Sequence, residues 1–321
     1  MDEPLPARGA PADQLQELAQ QIRRELALLG EGPTGAWVET VAAELRAGTR
    51  PGSYYPTGAG AGLAFRSDRH GDAFGHVHVE TAPGASDRAL RLARAIVDSL
   101  PESIRTLSLG FTGLAPEEEA RVLGELGARP GSSVIRRFAL ERTIRPEDGA
   151  ALAAPAGGLR LVPIRDVTME ALADLDFRAF RGSSDALLIG PDAAEYRRVL
   201  DALLAGEAGR FVDEASTALY RPDPPALVGA ILTSERSPRE ATFLDFLVDP
   251  AERGHGHGRY LLRWGFRALR ALGYDRVRLW VSESNSVARR LYDSVGFAAT
   301  HTTTIYRWDR PASSAQPHSA E

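Results

Sequence analysis

FLDFLVDPAERGHGHGRYLLRWGF (243–266) decides how this chain is read. An apolar, strand-like run from Thr242 to Val248 stops at Asp249-Pro250. Three glycines then alternate with two histidines between Arg253 and Arg259, and apolar residues follow at helical spacing over 259–272. Glycines at a strand-to-helix junction let the backbone turn tightly and aim successive N–H groups at one anion, and the helix N-terminus adds its partial positive charge. This is the chemistry of a pyrophosphate cradle. A Rossmann loop needs Gly-x-Gly-x-x-Gly and an acidic residue closing the next strand, whereas this loop reads Arg-x-x-Gly-x-Gly and the next strand ends Val281-Ser282-Glu283. A Walker loop needs Lys, and the chain contains none.

Downstream, the pattern predicts a strand RVRLWVSE (276–283), a helix NSVARRLYDSVG (285–296) and a strand THTTTIYRW (300–308). Upstream come a strand LRLVPI (159–164), helices over 167–180 and about 191–205, and strands STALYR (216–221) and ALVGAILTSE (226–235) around Asp223-Pro224-Pro225.

Three linked pieces in this half carry a family resemblance: the strand ending Val248-Asp249-Pro250, the loop Arg253 to Gly258, and SNSVARRLYDSVGF. In this order and spacing they resemble the central motifs of the GNAT superfamily of acyl-CoA-dependent N-acetyltransferases. The loop is similar to that family's Arg/Gln-x-x-Gly-x-Gly/Ala, and the last piece to its Asn-x-x-Ala-x-x-x-Tyr-x-x-x-Gly-Phe. The resemblance runs from Leu159 to Trp308. It implies an enzyme with acetyl-CoA, or another acyl-CoA, as co-substrate. Cofactor contacts then fall to Arg253, Gly254, His255, Gly256, His257, Gly258 and Arg259, to the backbone of Phe246, Leu247 and Val248, and to Asn285. Tyr292 is implied as the acid facing the departing thiolate, and a phenol of pKa near ~10 suits that role because it is protonated at neutral pH.

The candidate general base is Asp245, a carboxylate interrupting an apolar strand that could deprotonate the amine or bind a cationic substrate, with Glu240 and Glu283 as alternatives near strand ends. Trp280 stands where relatives acting on peptide N-termini carry Glu, and reads as a core aromatic or a wall of the acceptor pocket. The expected reaction moves an acyl group to an amine of a small metabolite; acylation of a peptide or protein amine, and a non-catalytic acyl-CoA-binding module, are the alternatives. No metal is expected: His255 and His257 lack a third ligand at suitable spacing, and the same-face pair His76 and His78 also lacks one.

The first half repeats the order of the second, with an offset of about 170 residues. Helix SDRALRLARAIVDSL (86–100), strand IRTLSLGF (104–111), helix PEEEARVLGELG (116–127) and strand SVIRRFALERTI (133–144) follow a hairpin turning at Gly71-Asp72 into AFGHVHVET (73–81). The copy lacks the glycine loop, and Leu123 matches Tyr292. The expected fold is α/β (α+β): two tandem GNAT-like domains, each a mixed, mostly antiparallel twisted sheet flanked by helices. Residues 1–150 form a degenerate copy with N-terminal helices, 159–309 the catalytic copy, and 310–321 a disordered tail. Pro146 to Gly158 is the linker-like stretch.

Composition bounds the rest. The chain has 321 residues, no Cys and a formal charge of −5, which excludes disulfides and cysteine nucleophiles and disfavours nucleic-acid binding. No apolar run reaches membrane-spanning length, so a cytoplasmic monomer or homodimer without membrane or nucleic-acid partners is expected.

Overall fold

A computed structural model describes residues 3–28, 37–56, 60–69, 71–155, 157–190 and 192–311. In chain order the elements are β1 (Leu5–Pro6), α1 (Ala12–Leu28), α2 (Trp37–Ala47), β2 (Gly52–Tyr55), β3 (Gly62–Arg69), β4 (Asp72–Val79), α3 (Ala85–Asp98), β5 (Thr106–Thr112), α4 (Pro116–Gly127) and β6 (Ser132–Thr143). Then follow β7 (Arg160–Pro163), α5 (Met169–Phe180), α6 (Ala186–Ile189), α7 (Ala193–Leu204), β8 (Arg210–Phe211), β9 (Thr217–Pro222), β10 (Pro225–Ser237), β11 (Glu240–Val248), α8 (His257–Ala271), β12 (Arg276–Ser282), α9 (Ser286–Ser294) and β13 (Ala298–Asp309). No helix among the described residues is long and apolar enough to cross a membrane.

The chain divides into two compact units, 1–136 with 303–321, and 137–302. Each takes its last strand from the other half of the sequence. The Pro146–Gly158 stretch therefore lies inside the second unit, after residues 137–143 have already joined it. The tail beyond residue 311 lies outside the described residues.

In the first unit the strand order is β1-β2-β3-β4-β5-β13, antiparallel except for the parallel pair β4–β5. In the second it is β7-β9-β10-β11-β12-β6, antiparallel except for β11–β12, with β8 beside β10. The two sheets share one pattern of strand directions, as the internal repeat predicts. Both are mixed and mostly antiparallel.

The first unit closes around Leu92, Ile96, Leu107 and Leu109, and a second cluster packs Leu15, Leu18 and Ile22 of α1 on Leu63. His76 Nε2 and His78 Nδ1 share Thr112 Oγ1 at 2.8 and 3.0 Å, and His78 Nε2 meets Gln21 Oε1 at 3.0 Å. These histidines are hydrogen-bonded parts of the sheet face. Burial pushes buried His78 down to about 4, partly offset by Glu80; desolvation, reinforced by His78, pushes His76 down to about 3. Both folded values lie below the unfolded one, so the unfolded chain binds more protons as pH falls from about 6.5. The stability they confer is complete above that pH and is lost as pH falls, toward about pH 4 for His78 and about pH 3 for His76, at up to about 1.4 kcal/mol per unit for each group. Hydrogen exchange of β4 and β5 amides at stepped pH should show that slope, and His78→Gln should flatten it; an unchanged slope would assign the acid sensitivity elsewhere.

The second unit's sheet is packed on both faces. Leu261, Leu262, Phe266 and Leu269 of α8 cover Phe243, Ile231 and Val277. On the opposite face Leu172 and Leu175 of α5 and Leu200 of α7 cover Leu232, Ala230 and Leu247. Each fully buried side chain of this size contributes roughly 1.5–3 kcal/mol.

Candidate active site

A β-bulge sets the site. Strand β11 pairs with β10 as Leu232↔Asp245 and Thr233↔Phe243, leaving Leu244 as the extra residue. The register thereby slips by one, and the alternation of faces slips with it. Ala241, Phe243 and Phe246 belong to the α8 face, whereas Leu244 and Leu247 belong to the α5 face. Asp245 falls on the α5 side, buried, with its Oδ1 accepting the Phe246 N–H at 3.0 Å.

On its other edge β11 pairs with β12 only through Glu240–Thr242. From Phe243 onward the parallel ladder is absent, so the backbone of Phe246, Leu247 and Val248 has no β12 partner. Beyond Thr242 the two parallel strands are therefore splayed apart.

The glycine loop leads from this strand into α8. A turn of 3₁₀ helix over Pro250–Glu252 starts at Asp249, whose Oδ1 accepts the Ala251 N–H at 3.0 Å. Gly254 and Gly256 take left-handed φ of +85° and +84°, and a Cβ on either would enter open space. Gly256 is the N-cap of α8, so the first amides of that helix point out of the loop without a side-chain cap. Gly258 is needed for another reason: its Cβ would lie 3.0 Å from Leu291 Cδ2, so it permits the close approach of α9.

The flanking arginines hold the loop's frame. Arg253 donates to the Ala179 carbonyl at 2.6 Å, and Arg259 to Ser294 Oγ at 3.1 Å. Asn285 caps α9, its Oδ1 accepting the Ala288 N–H at 3.1 Å. In the first unit only five residues, 80–84, join β4 to α3, against eight, 249–256, joining β11 to α8. Gly84 still caps α3 at φ +80°, but Arg88 donates to the Pro83 carbonyl at 2.9 Å in this shorter loop.

Histidines 255 and 257 stack with ring centroids 5.8 Å apart. The expectation that they lack a third ligand needs correction. The 3₁₀ turn brings Glu252 to them, and one ligand atom of each of the three lies within 4.8 Å of the others. Glu252 is also paired with Arg221 at 2.6 Å.

Tyr292 is buried on α9, edge-on to Phe246 and Phe297. No described residue hydrogen bonds to its hydroxyl. Burial pushes the phenol up, and the charges of Asp185 and Asp245 push it further. Glu240 and Glu283 are not part of this group: Glu240 pairs with Arg276 at the far end of β11, and Glu283 is exposed. Trp280 is half-buried and opposite Ala139 of β6.

Three residues that the sequence reading did not single out join Asp245 and Tyr292. Asp176 is buried on α5 and Tyr196 on α7, where Phe177 meets Tyr196 edge-on. Asp185, preceding α6, accepts from Ser282 Oγ at 2.6 Å and pairs with Arg137 at 3.5 Å. Burial pushes both Asp176 and Asp245 up; each lies in the other's field, and Asp185 raises Asp245 further. Tyr196 is pushed up by burial and then by Asp176, Asp245 and Asp185. The arrangement holds carboxyls able to take a proton from a bound amine beside a phenol that keeps its own.

The Acetyltransferase (GNAT) family matches residues 171–297, which span α5 to α9. This part of the chain is a GNAT domain. A 60-residue stretch is 48% identical to the mycothiol acetyltransferase of Thermobispora bispora, covering 19% of this chain and 20% of that protein. The chain thus matches about a fifth of that relative's length. The mycothiol acetyltransferase of Acidimicrobium ferrooxidans is 27% identical over 261 residues, 78% of each chain. Among solved structures, the tandem GNAT protein from the clavulanic acid biosynthesis pathway aligns at TM-score 0.54 with 18% identity, over 97% of this chain and 98% of that one. That likeness is one of fold: two GNAT-like units in tandem, a layout resembling mycothiol synthase. The matched residues contain the bulge, the glycine loop, Asp245 and Tyr292.

Proposed function

We propose that this chain is an N-acyltransferase that moves an acetyl, or another acyl, group from acyl-CoA to an amine of a small metabolite by direct attack. The observation that carries the reading is the splay of β11 from β12 at a glycine-capped helix, with Asp245 on the strand and Tyr292 on α9. The residues present suit a CoA co-substrate. Gly254 and Gly256 leave open space over outward amides for a pyrophosphate, and the unpaired edge of Phe246–Val248 suits an amide-bearing arm.

Acyl-CoA supplies a thioester-activated acyl group. Asp245 takes the proton of the amine, directly or through one water, which frees the nitrogen lone pair. Tyr292 holds its proton at Oη and donates a hydrogen bond where the thiolate charge develops. A phenol pushed this far up gives that hydrogen bond more readily than the whole proton. The relatives named mycothiol acetyltransferase favour a small-molecule acceptor.

Thiol release from acetyl-CoA and longer acyl-CoAs across a panel of small amines and peptide N-termini tests the proposal. Turnover of small amines is expected; faster turnover of peptides would favour protein acylation, and binding without turnover a non-catalytic module. Tyr292→Phe should lower kcat about 100-fold with acetyl-CoA affinity within a few-fold. An unchanged kcat would remove Tyr292 from the reaction.

A further inference from the structure

Asp176 is 1% exposed, and no N–H or O–H among the described residues reaches either of its oxygens. A carboxylate buried without a donor costs several kcal/mol, which a bound proton relieves. The carboxyl whose charge acts on it is Asp245: α5 packs across β10 and β11, and the Leu244 bulge turns Asp245 to that face. Two carboxyl oxygens can share a hydrogen bond only when one of them carries a proton. Asp245 has a donor, the Phe246 N–H, whereas Asp176 has none. The proton therefore belongs on Asp176. Asp185, paired with Arg137 and Ser282, also acts on Asp245. Tyr292 lies in the field of Asp245, and Tyr196 in that of both carboxyls, its own hydroxyl buried and without a partner among the described residues.

We propose that Asp176 is a positioning residue whose protonated carboxyl donates a hydrogen bond to Asp245, holding Asp245 ionised to receive the amine's proton; the catalytic half of this assignment rests on the transferase reading above. The donated bond favours the charged form of Asp245, against the burial that opposes it.

The test compares Asp176→Leu with Asp176→Asn in the full chain. Leucine removes the donor and retains the burial, so the acid limb of kcat/KM should move to higher pH by about one to two units, a loss of about 10- to 100-fold on that limb. Asparagine supplies an N–H in place of the O–H, so its limb should stay within about 0.3 unit of the parent. Limbs that stay put in both variants, or move equally in both, would overturn the assignment. An infrared spectrum reads the proton without turnover: the parent should show a protonated-carboxyl band at neutral pH that Asp176→Asn removes. A missing band, or one that survives the substitution, defeats the proposal even if Asp176→Leu does not fold. Absence of turnover with the band intact would defeat the transferase reading alone.

Discussion

Gly256→Glu should weaken acetyl-CoA binding by at least about 100-fold in Kd while the second unit keeps its fold. Two separate effects add. At φ +84° any L side chain costs about 1–2 kcal/mol, which the helix end bears locally. The Cβ then enters the open space above the loop, and the carboxylate reaches the first-turn amides of α8 that a pyrophosphate would use. Gly273 offers a matched control. It follows the C-terminus of α8 at the same φ of +84°, and a Cβ there also meets nothing. Gly273→Glu thus carries equal backbone strain without a charge in the loop, and should bind acetyl-CoA as the parent does. Titration calorimetry on both variants, with thermal melts alongside, decides the matter. Equal loss in both would mean strain acted, and no loss in either would remove the loop from CoA binding.

Gly258→Glu, by contrast, is a packing change. Its Cβ would press on Leu291 at 3.0 Å, so its loss of binding would come with loss of stability. Two glycines in one motif therefore answer to different physics. The sequence marks both as glycines and does not distinguish them.

The same division runs through the fold. Helix and strand identities were readable where the periods are regular, as in α3, α8 and β12. The strand directions repeat between units because the two halves repeat in element order. The exchange of last strands was not readable, since β6 and β13 have the same alternating character whichever sheet receives them. The bulge at Leu244 was also hidden: in an unbroken alternation Asp245 would share the face of Ala241 and Phe243, away from α5. Asp176 did carry a signal, because it lies on the apolar stripe of α5 with Leu172 and Leu175. The argument that singled out Asp245, a carboxylate interrupting an apolar pattern, applied equally there. Tyr196 left no such trace, since a tyrosine on an apolar stripe is ordinary core.

Asp245→Asn should lower kcat/KM for the amine by about 100- to 1000-fold while leaving acetyl-CoA affinity within a few-fold. Asn has the same shape, still accepts the Phe246 N–H and cannot take a proton. In the parent the base works only when ionised, and burial raises its pKa, so activity should fall as pH drops through a value above the ordinary carboxylate range. The variant should lack that limb. Asp176 complicates the single substitution, because an Asn at 245 donates an N–H toward Asp176 and favours its ionised form. A second carboxylate is then available nearby, 1% exposed. Asp176→Asn combined with Asp245→Asn separates the cases through a double-mutant cycle. If Asp176 acts only through Asp245, the double variant is as slow as Asp245→Asn alone. If the double variant is a further tenfold slower, Asp176 takes the proton itself in the single variant, and the two carboxyls form one base with two sites. A rate for Asp245→Asn within tenfold of the parent, unchanged in the double variant, would mean that neither carboxyl receives the amine's proton.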